Sequence, residues 1–134
     1  MRMEVTHAGG LRFEVRVRDQ RFTVDVPEDI GGSNRGPTPT ELFCASLATC
    51  AGVYIAAYCA SAGLPYEGFS ISADWEVLEH PKRIATVNLK VDMPAPLPAD
   101  RQKAVFRAAH QCLLHRSIAN AVQIDLEIRY PEEE

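Results

Sequence analysis

Between residues 42 and 62 the chain carries no charged side chain, and that run constrains the fold more than any other feature. It belongs to a longer stretch, GGSNRGPTPTELFCASLATCAGVYIAAYCASAG, that opens as a glycine-rich loop at residue 31. Thr38, Pro39 and Glu41 mark the start of a helix. Threonine is a good N-cap, and proline suits the first helical position, where its missing N–H is not needed. A glutamate three residues past the cap reaches back to complete a capping box. A helix with no charge on any face is either buried in a core or inserted in a membrane. Ser46, Thr49, Gly52, Ser61 and the cysteines argue for the core, since a span wants a longer and greasier run. The pattern therefore predicts a central helix ending at Gly63, enclosed by the rest of the fold and by a second subunit.

The flanking segments read mostly as strands. Leu11, Phe13, Val15 and Val17 alternate with Arg12, Glu14, Arg16 and Arg18, the period of a half-buried strand. Asp19 and Gln20 are the expected turn, and Phe22, Val24 and Val26 return as a second strand, with a short strand ahead over residues 3–7. Beyond the helix, Phe69, Ile71, Ala73, Trp75 and Val77 alternate. Val87, Leu89, Val91 and Met93 do so after a turn at His80 and Pro81. A second helix is expected from near Pro98, with Val105, Ala108, Ala109 and Cys112 on its apolar face. Ser117 is the expected cap of a short turn over residues 118–122, and Ile124, Leu126, Ile128 and Tyr130 form a last strand. Strands arriving mostly in hairpins predict an antiparallel α+β fold.

At 134 residues, 46% hydrophobic and 24% charged, the chain is expected to form one domain over residues 1–134. A net charge of −4 argues against a nucleic-acid partner, because phosphate binding needs a concentrated basic surface. MRMEVTHAGG has no apolar run of the signal-peptide kind, so a cytoplasmic location is expected. Four cysteines in such a chain read as reduced, catalytic or merely buried.

At about 100° per residue, Cys50 shares a helix side with Phe43, Leu47 and Tyr54, while Cys44 and Cys59 face elsewhere. The three cannot share one site, and each taken alone reads as a small hydrophobe. Cys112 differs, because HQCLLH sets it between His110 and His115. A nearby cation would lower its pKa. The same trio shows only three ligands and matches no common zinc spacing, so neither metal nor cofactor is expected. The glycine loop could cradle an anion at the helix N-terminus, with Arg35 beside it. It is no nucleotide fingerprint, since Gly-Lys-Ser/Thr is missing and no βαβ pattern precedes it. Capping alone accounts for Glu41.

The run GGSNRGPTPTELFCASLATC, followed by Cys112 in CLLHRSI, resembles the OsmC/Ohr family of osmotically inducible and organic hydroperoxide resistance proteins. The resemblance extends over nearly the whole chain and lies with the broader OsmC-like branch. It implies an α+β, OsmC-like fold in which antiparallel sheets wrap central apolar helices in an intertwined homodimer. It also implies a thiol-dependent peroxidase for organic hydroperoxides, with Cys50 at the peroxidatic position, Cys112 at the resolving one and an external dithiol as reductant. Family peroxidases activate the thiolate with an arginine from the N-terminal strands and a glutamate ten residues before the cysteine. Here Arg12 is the first choice for that arginine, with Arg18 and Arg35 behind it. The glutamate position holds Thr40, with Glu41 next to it, and Leu113 stands where a proline is common. The other reading is a non-enzymatic dimer that binds a small apolar molecule in its interface pocket.

Overall fold

The computed structural model of the chain describes residues 1–133. They form two compact units, residues 1–43 and the remainder from Cys44 onward.

The first unit is an antiparallel meander of β1 (Glu4–His7), β2 (Phe13–Val17) and β3 (Gln20–Val24). Val17 pairs with Gln20, so the tight turn is Arg18 and Asp19, one residue earlier than the sequence suggests. Arg18 takes the left-handed conformation there, with φ 51°. A two-residue hairpin needs positive φ to match the strand twist, and that requirement sets the register. Alternation is only half realised: Val15 and Val24 are buried, while Leu11, Phe13 and Phe22 keep substantial exposure. After Pro27 a 3-10 turn over Glu28–Ile30 starts the glycine loop. The loop folds back on the end of the hairpin, with Asn34 N–H donating to the Val26 carbonyl at 3.0 Å. Two glycines are required by this approach. A Cβ at Gly32 would lie 2.0 Å from the Val26 oxygen, and one at Gly36 would lie 2.1 Å from the Thr23 oxygen.

α1 (Pro39–Ala62) begins at the expected cap: Thr38 N–H donates to Glu41 Oε1 at 2.8 Å and Glu41 N–H donates to Thr38 Oγ1 at 3.0 Å. It stops at Gly63, whose φ of 66° ends the helix while Leu64 N–H closes on the Cys59 carbonyl. One face is buried, through Cys44, Leu47, Ala48, Ala51, Ile55 and Cys59. The opposite face, Ala45, Thr49, Val53 and Ala57, is exposed at four-residue spacing, and Val53 is 64% exposed. By length and composition alone α1 could cross a membrane. Its buried face, however, lines the core of the second unit.

That unit has a mixed sheet of β4 (Ser70–Glu79), β5 (Lys82–Asp92) and β6 (Gln123–Arg129), in that order. β4 and β5 pair as the expected antiparallel hairpin, with a bulge between Glu76 and Val77. β6 differs from the antiparallel expectation: it lies parallel to β5, with Val87 opposite Ile124 and Val91 opposite Ile128. A parallel partner needs a crossover. α2 (Ala99–His110) and α3 (Leu113–Ile118) provide it. Val87, Leu89, Val91 and Met93 are all buried, as are Val105 and Ala109 of α2. Leu47 and Ala51 of α1 meet Leu89, Ala109, Ile124 and Leu126 around one small cavity. Gly52 admits the Ile71 side chain of β4 against α1, where a Cβ would stand 3.2 Å from the Ile71 methyl.

The expected cap at Ser117 is misplaced. Ser117 sits inside α3, its hydroxyl donating to the Leu113 carbonyl, and the residue that caps α3 is Cys112. Cys112 therefore lies beyond the end of α2 rather than on its apolar face.

Candidate functional site

α2 ends at His110, the chain turns through Gln111, and Cys112 takes an extended conformation as it starts α3. Its Sγ accepts the His115 N–H at 3.5 Å, the cap that a serine oxygen would otherwise supply. Cys112 is 1% exposed, and its thiol interacts directly with the Cys50 side chain. Burial pushes the Cys112 thiol up, the hydrogen bond and charge of Cys50 push it the same way, and the N–H groups of His115 and Leu114 offset only part of that. Cys50 is half-buried, and all four cysteines are free thiols. Cys44 and Cys59 belong to the buried face of α1, 1% and 0% exposed, and burial alone raises both. Of the four thiols, these contacts join the two that sequence reading singled out.

His115 is held away from the cationic form that its spacing suggests. His115 is half-buried, and burial, then the charge of His110, hold its imidazole below the ordinary value. The His110 and His115 rings stand 5.1 Å apart, and the His110 Nδ1 is bonded to the Phe106 carbonyl at 2.9 Å. Among the described residues no group of three or more His, Cys, Asp and Glu side chains is gathered to hold a metal ion.

The first unit holds the remaining sequence candidates. Arg12 is half-buried and lies just ahead of β2, its Nη2 donating to the Ala8 carbonyl at 2.7 Å. Its charge acts on Asp25, a carboxylate only 1% exposed that sequence reading passed over. Asp25 Oδ1 accepts the Val26 N–H at 2.8 Å, and Oδ2 accepts those of Ser33 and Arg35 at 3.3 and 3.1 Å. Burial pushes this carboxyl up, but the three N–H groups and Arg12 outweigh it and hold it below the ordinary value. The glycine loop thus folds around an anion of its own, which corrects the expectation of a cradle for an external one. The signal for it was slight: one acid between strand and loop, just ahead of a donor-rich turn. Arg35 enters through its backbone, and Arg18 is exposed at the hairpin turn. Thr40 is half-buried in the first turn of α1, and exposed Glu41 is engaged in the capping box.

Comparison with known proteins follows the same outline. A Psychrobacter arcticus structure, described as an osmotic stress induced and detoxification response protein, superimposes with a TM-score of 0.87 at 22% identity, over 95% of this chain and 94% of that one. The organic hydroperoxide resistance protein OsmC of Legionella pneumophila gives a TM-score of 0.71 at 21% identity, covering 94% and 93%. The organic hydroperoxide resistance protein OhrB of Bacillus subtilis gives 0.69 at 21%, covering 96% and 98%. At these identities the likeness is one of fold. No curated protein matches the sequence. The family model described as OsmC-like protein matches residues 31–127, which takes in the glycine loop, α1, Cys50 and Cys112. The chain belongs to the OsmC-like protein family.

Proposed function

We propose that the protein is a thiol-dependent peroxidase that reduces organic hydroperoxides through Cys50 and Cys112. The observation that carries this reading is the direct interaction of those two side chains, one half-buried and one enclosed. Two structures of the same fold bear the name organic hydroperoxide resistance protein, which supports the substrate class. In the proposed cycle the Cys50 thiolate attacks the O–O bond of an organic hydroperoxide, ROOH. The alkoxide half takes a proton and leaves as ROH, and the sulfur keeps the hydroxyl as a sulfenic acid. The Cys112 thiol then displaces that hydroxyl as water and forms a disulfide, which an external dithiol reduces.

Only a thiolate is nucleophilic enough for the first step, so the reading requires a cation. Arg12 is the proposed one, with Thr40 in the place of the family glutamate and Glu41 stabilising the helix start. A homodimer is proposed as well. The exposed face of α1, Ala45, Thr49, Val53 and Ala57, carries no charge and is shaped for close approach of a second copy. A cytoplasmic location suits a cycle that needs reduced thiols.

The test is consumption of cumene hydroperoxide in the presence of a dithiol. Turnover that is lost in Cys50→Ser supports the reading, and no turnover by the intact protein rejects it. Arg12→Ala is expected to slow the peroxide step at least about tenfold, about 1.4 kcal/mol in the barrier. A second reading, a binding protein for a small apolar molecule, rests on an open groove of about 620 Å³ lined in part by Phe106, Leu126, Ile128 and Tyr130. It becomes the better one if the peroxide assay is blank.

A further inference from the structure

Cys112 presents a proton-transfer problem. Its thiol is enclosed, raised by burial, and must lose a proton as it joins Cys50. The space beside it is a cavity of about 10 Å³, lined by Leu47, Ala51, Leu89, Ala109, Ile124 and Leu126, with Cys112 and His115. That volume is at the lower limit for a single water, so this cavity holds no water chain. Apart from the thiol itself, His115 is the one lining residue able to accept a proton. On its other side, His115 lines an open surface cavity of about 480 Å³, together with Arg83, Ala85 and residues 119–124. His115 and Ile124 are common to both cavities, and only His115 can carry a proton between them.

We propose, resting on the cycle of Cys50 and Cys112 above, that His115 is the base that removes the Cys112 proton and passes it outward during disulfide closure. The Cys112 sulfur forms its bond to the Cys50 sulfur while the S–O bond of the Cys50 sulfenic acid breaks. The departing hydroxide takes up a proton from solvent on the Cys50 side and leaves as water. The proton that His115 took from Cys112 is released into the surface cavity, so one proton enters for the one that leaves. The His115 backbone N–H on Sγ, at 3.5 Å, fixes the thiol at the start of α3, and the His115 and Cys112 side chains line the same small cavity. The groups around His115 are His110 of α2 and the Cys112 thiol, with Arg83 of β5 lining the same surface cavity and Arg116 beside it on α3. The charge of His110 disfavours an imidazolium beside it. Burial acts in the same direction, and His115 stays neutral and able to accept at neutral pH.

The test isolates closure from peroxide chemistry. Dithiobis(nitrobenzoate) is added to the intact reduced protein, and release of the coloured thiolate is followed in time. The first equivalent marks the mixed disulfide at Cys50. The second marks attack by Cys112, and Cys112→Ser should stop after the first. The second phase should be at least about tenfold slower in His115→Gln and should lose the wild-type acid limb, which falls below the ordinary imidazole value of about 6.5. In His115→Ala, free imidazole entering from the surface cavity should restore the rate. A His115→Gln phase at wild-type rate overturns the proposal. So does slowing with the acid limb retained and no rescue by imidazole, or a wild-type protein that never releases the second thiolate. Normal closure in a protein that consumes no hydroperoxide rejects the peroxidase reading and leaves the role of His115 standing.

Discussion

The Sγ of Cys112 accepts the His115 backbone N–H at 3.5 Å, so the sulfur that meets Cys50 also starts α3. The two roles separate by substitution. Cys112→Ser keeps an acceptor at the cap, and α3 should survive with little loss of stability. Cys112→Ala removes the cap and should cost about 1 kcal/mol or more, the usual value of a lost N-cap. Both variants lose disulfide closure. Urea denaturation of the reduced proteins measures the difference, and equal stability of the two variants would remove the capping role.

Asp25 is the acid-labile point of the first unit. Its folded pKa lies below the unfolded value, so its contribution is fully present above the unfolded carboxylate pKa of about 3.9. It is lost as pH falls through the folded value. Asp25→Asn should lower the midpoint of thermal unfolding at pH 7 by roughly 5 °C or more, on the usual scale for a domain of this size. The difference from wild type should shrink in acid. Scanning calorimetry at pH 7 and pH 3 reads both, and a gap that widens in acid would show that the carboxylate charge is not what holds the loop.

The glycine loop makes a sharper structural prediction. Gly36→Ala would put a Cβ 2.1 Å from the Thr23 carbonyl oxygen, a backbone atom that cannot step aside alone. Destabilisation of about 2 kcal/mol or more is expected, within the range for forced overpacking. Gly63→Ala meets no neighbour within 4 Å, and its penalty comes from the φ of 66° alone, about 1–2 kcal/mol. Equilibrium unfolding should rank the two in that order, and the reverse order would contradict the loop geometry.

The exposed face of α1 predicts a dimer that charge can break. Val53 is 64% exposed in a helix without charged neighbours on that face. Val53→Asp should shift the mass in light scattering from two chains to one at micromolar concentration, because an unpaired carboxylate would be enclosed between copies. A wild-type protein that is already monomeric would remove the proposed dimer.

What could be read from the sequence was what local chemistry dictates. The cap at Thr38 and Glu41, the stop at Gly63 and the inward alternation from Val87 to Met93 depend on near neighbours. Each is present as expected. The parallel placement of β6 is a long-range pairing, and nothing within Gln123–Arg129 distinguishes a parallel partner from an antiparallel one. The hairpin turn slipped by one residue because positive φ fell on Arg18, which carries no turn signal of its own. In the candidate site, helix angles separated Cys50 from Cys44 and Cys59, but the meeting of Cys50 with Cys112 is a tertiary contact between α1 and the start of α3. Asp25 stayed hidden because its partners are backbone N–H groups, which leave no side-chain pattern.

The central claim is that Cys50 and Cys112 act as one redox pair, and the most direct measurement is the identity of the bond that peroxide makes. Reduced protein is treated with one equivalent of cumene hydroperoxide, blocked with an alkylating reagent, digested without reductant and mapped by mass spectrometry. The account predicts a single disulfide joining Cys50 to Cys112, with Cys44 and Cys59 recovered as thiols, and in Cys112→Ser a sulfenic acid held on Cys50. A disulfide through Cys44 or Cys59, or four unmodified thiols with the peroxide intact, would contradict it.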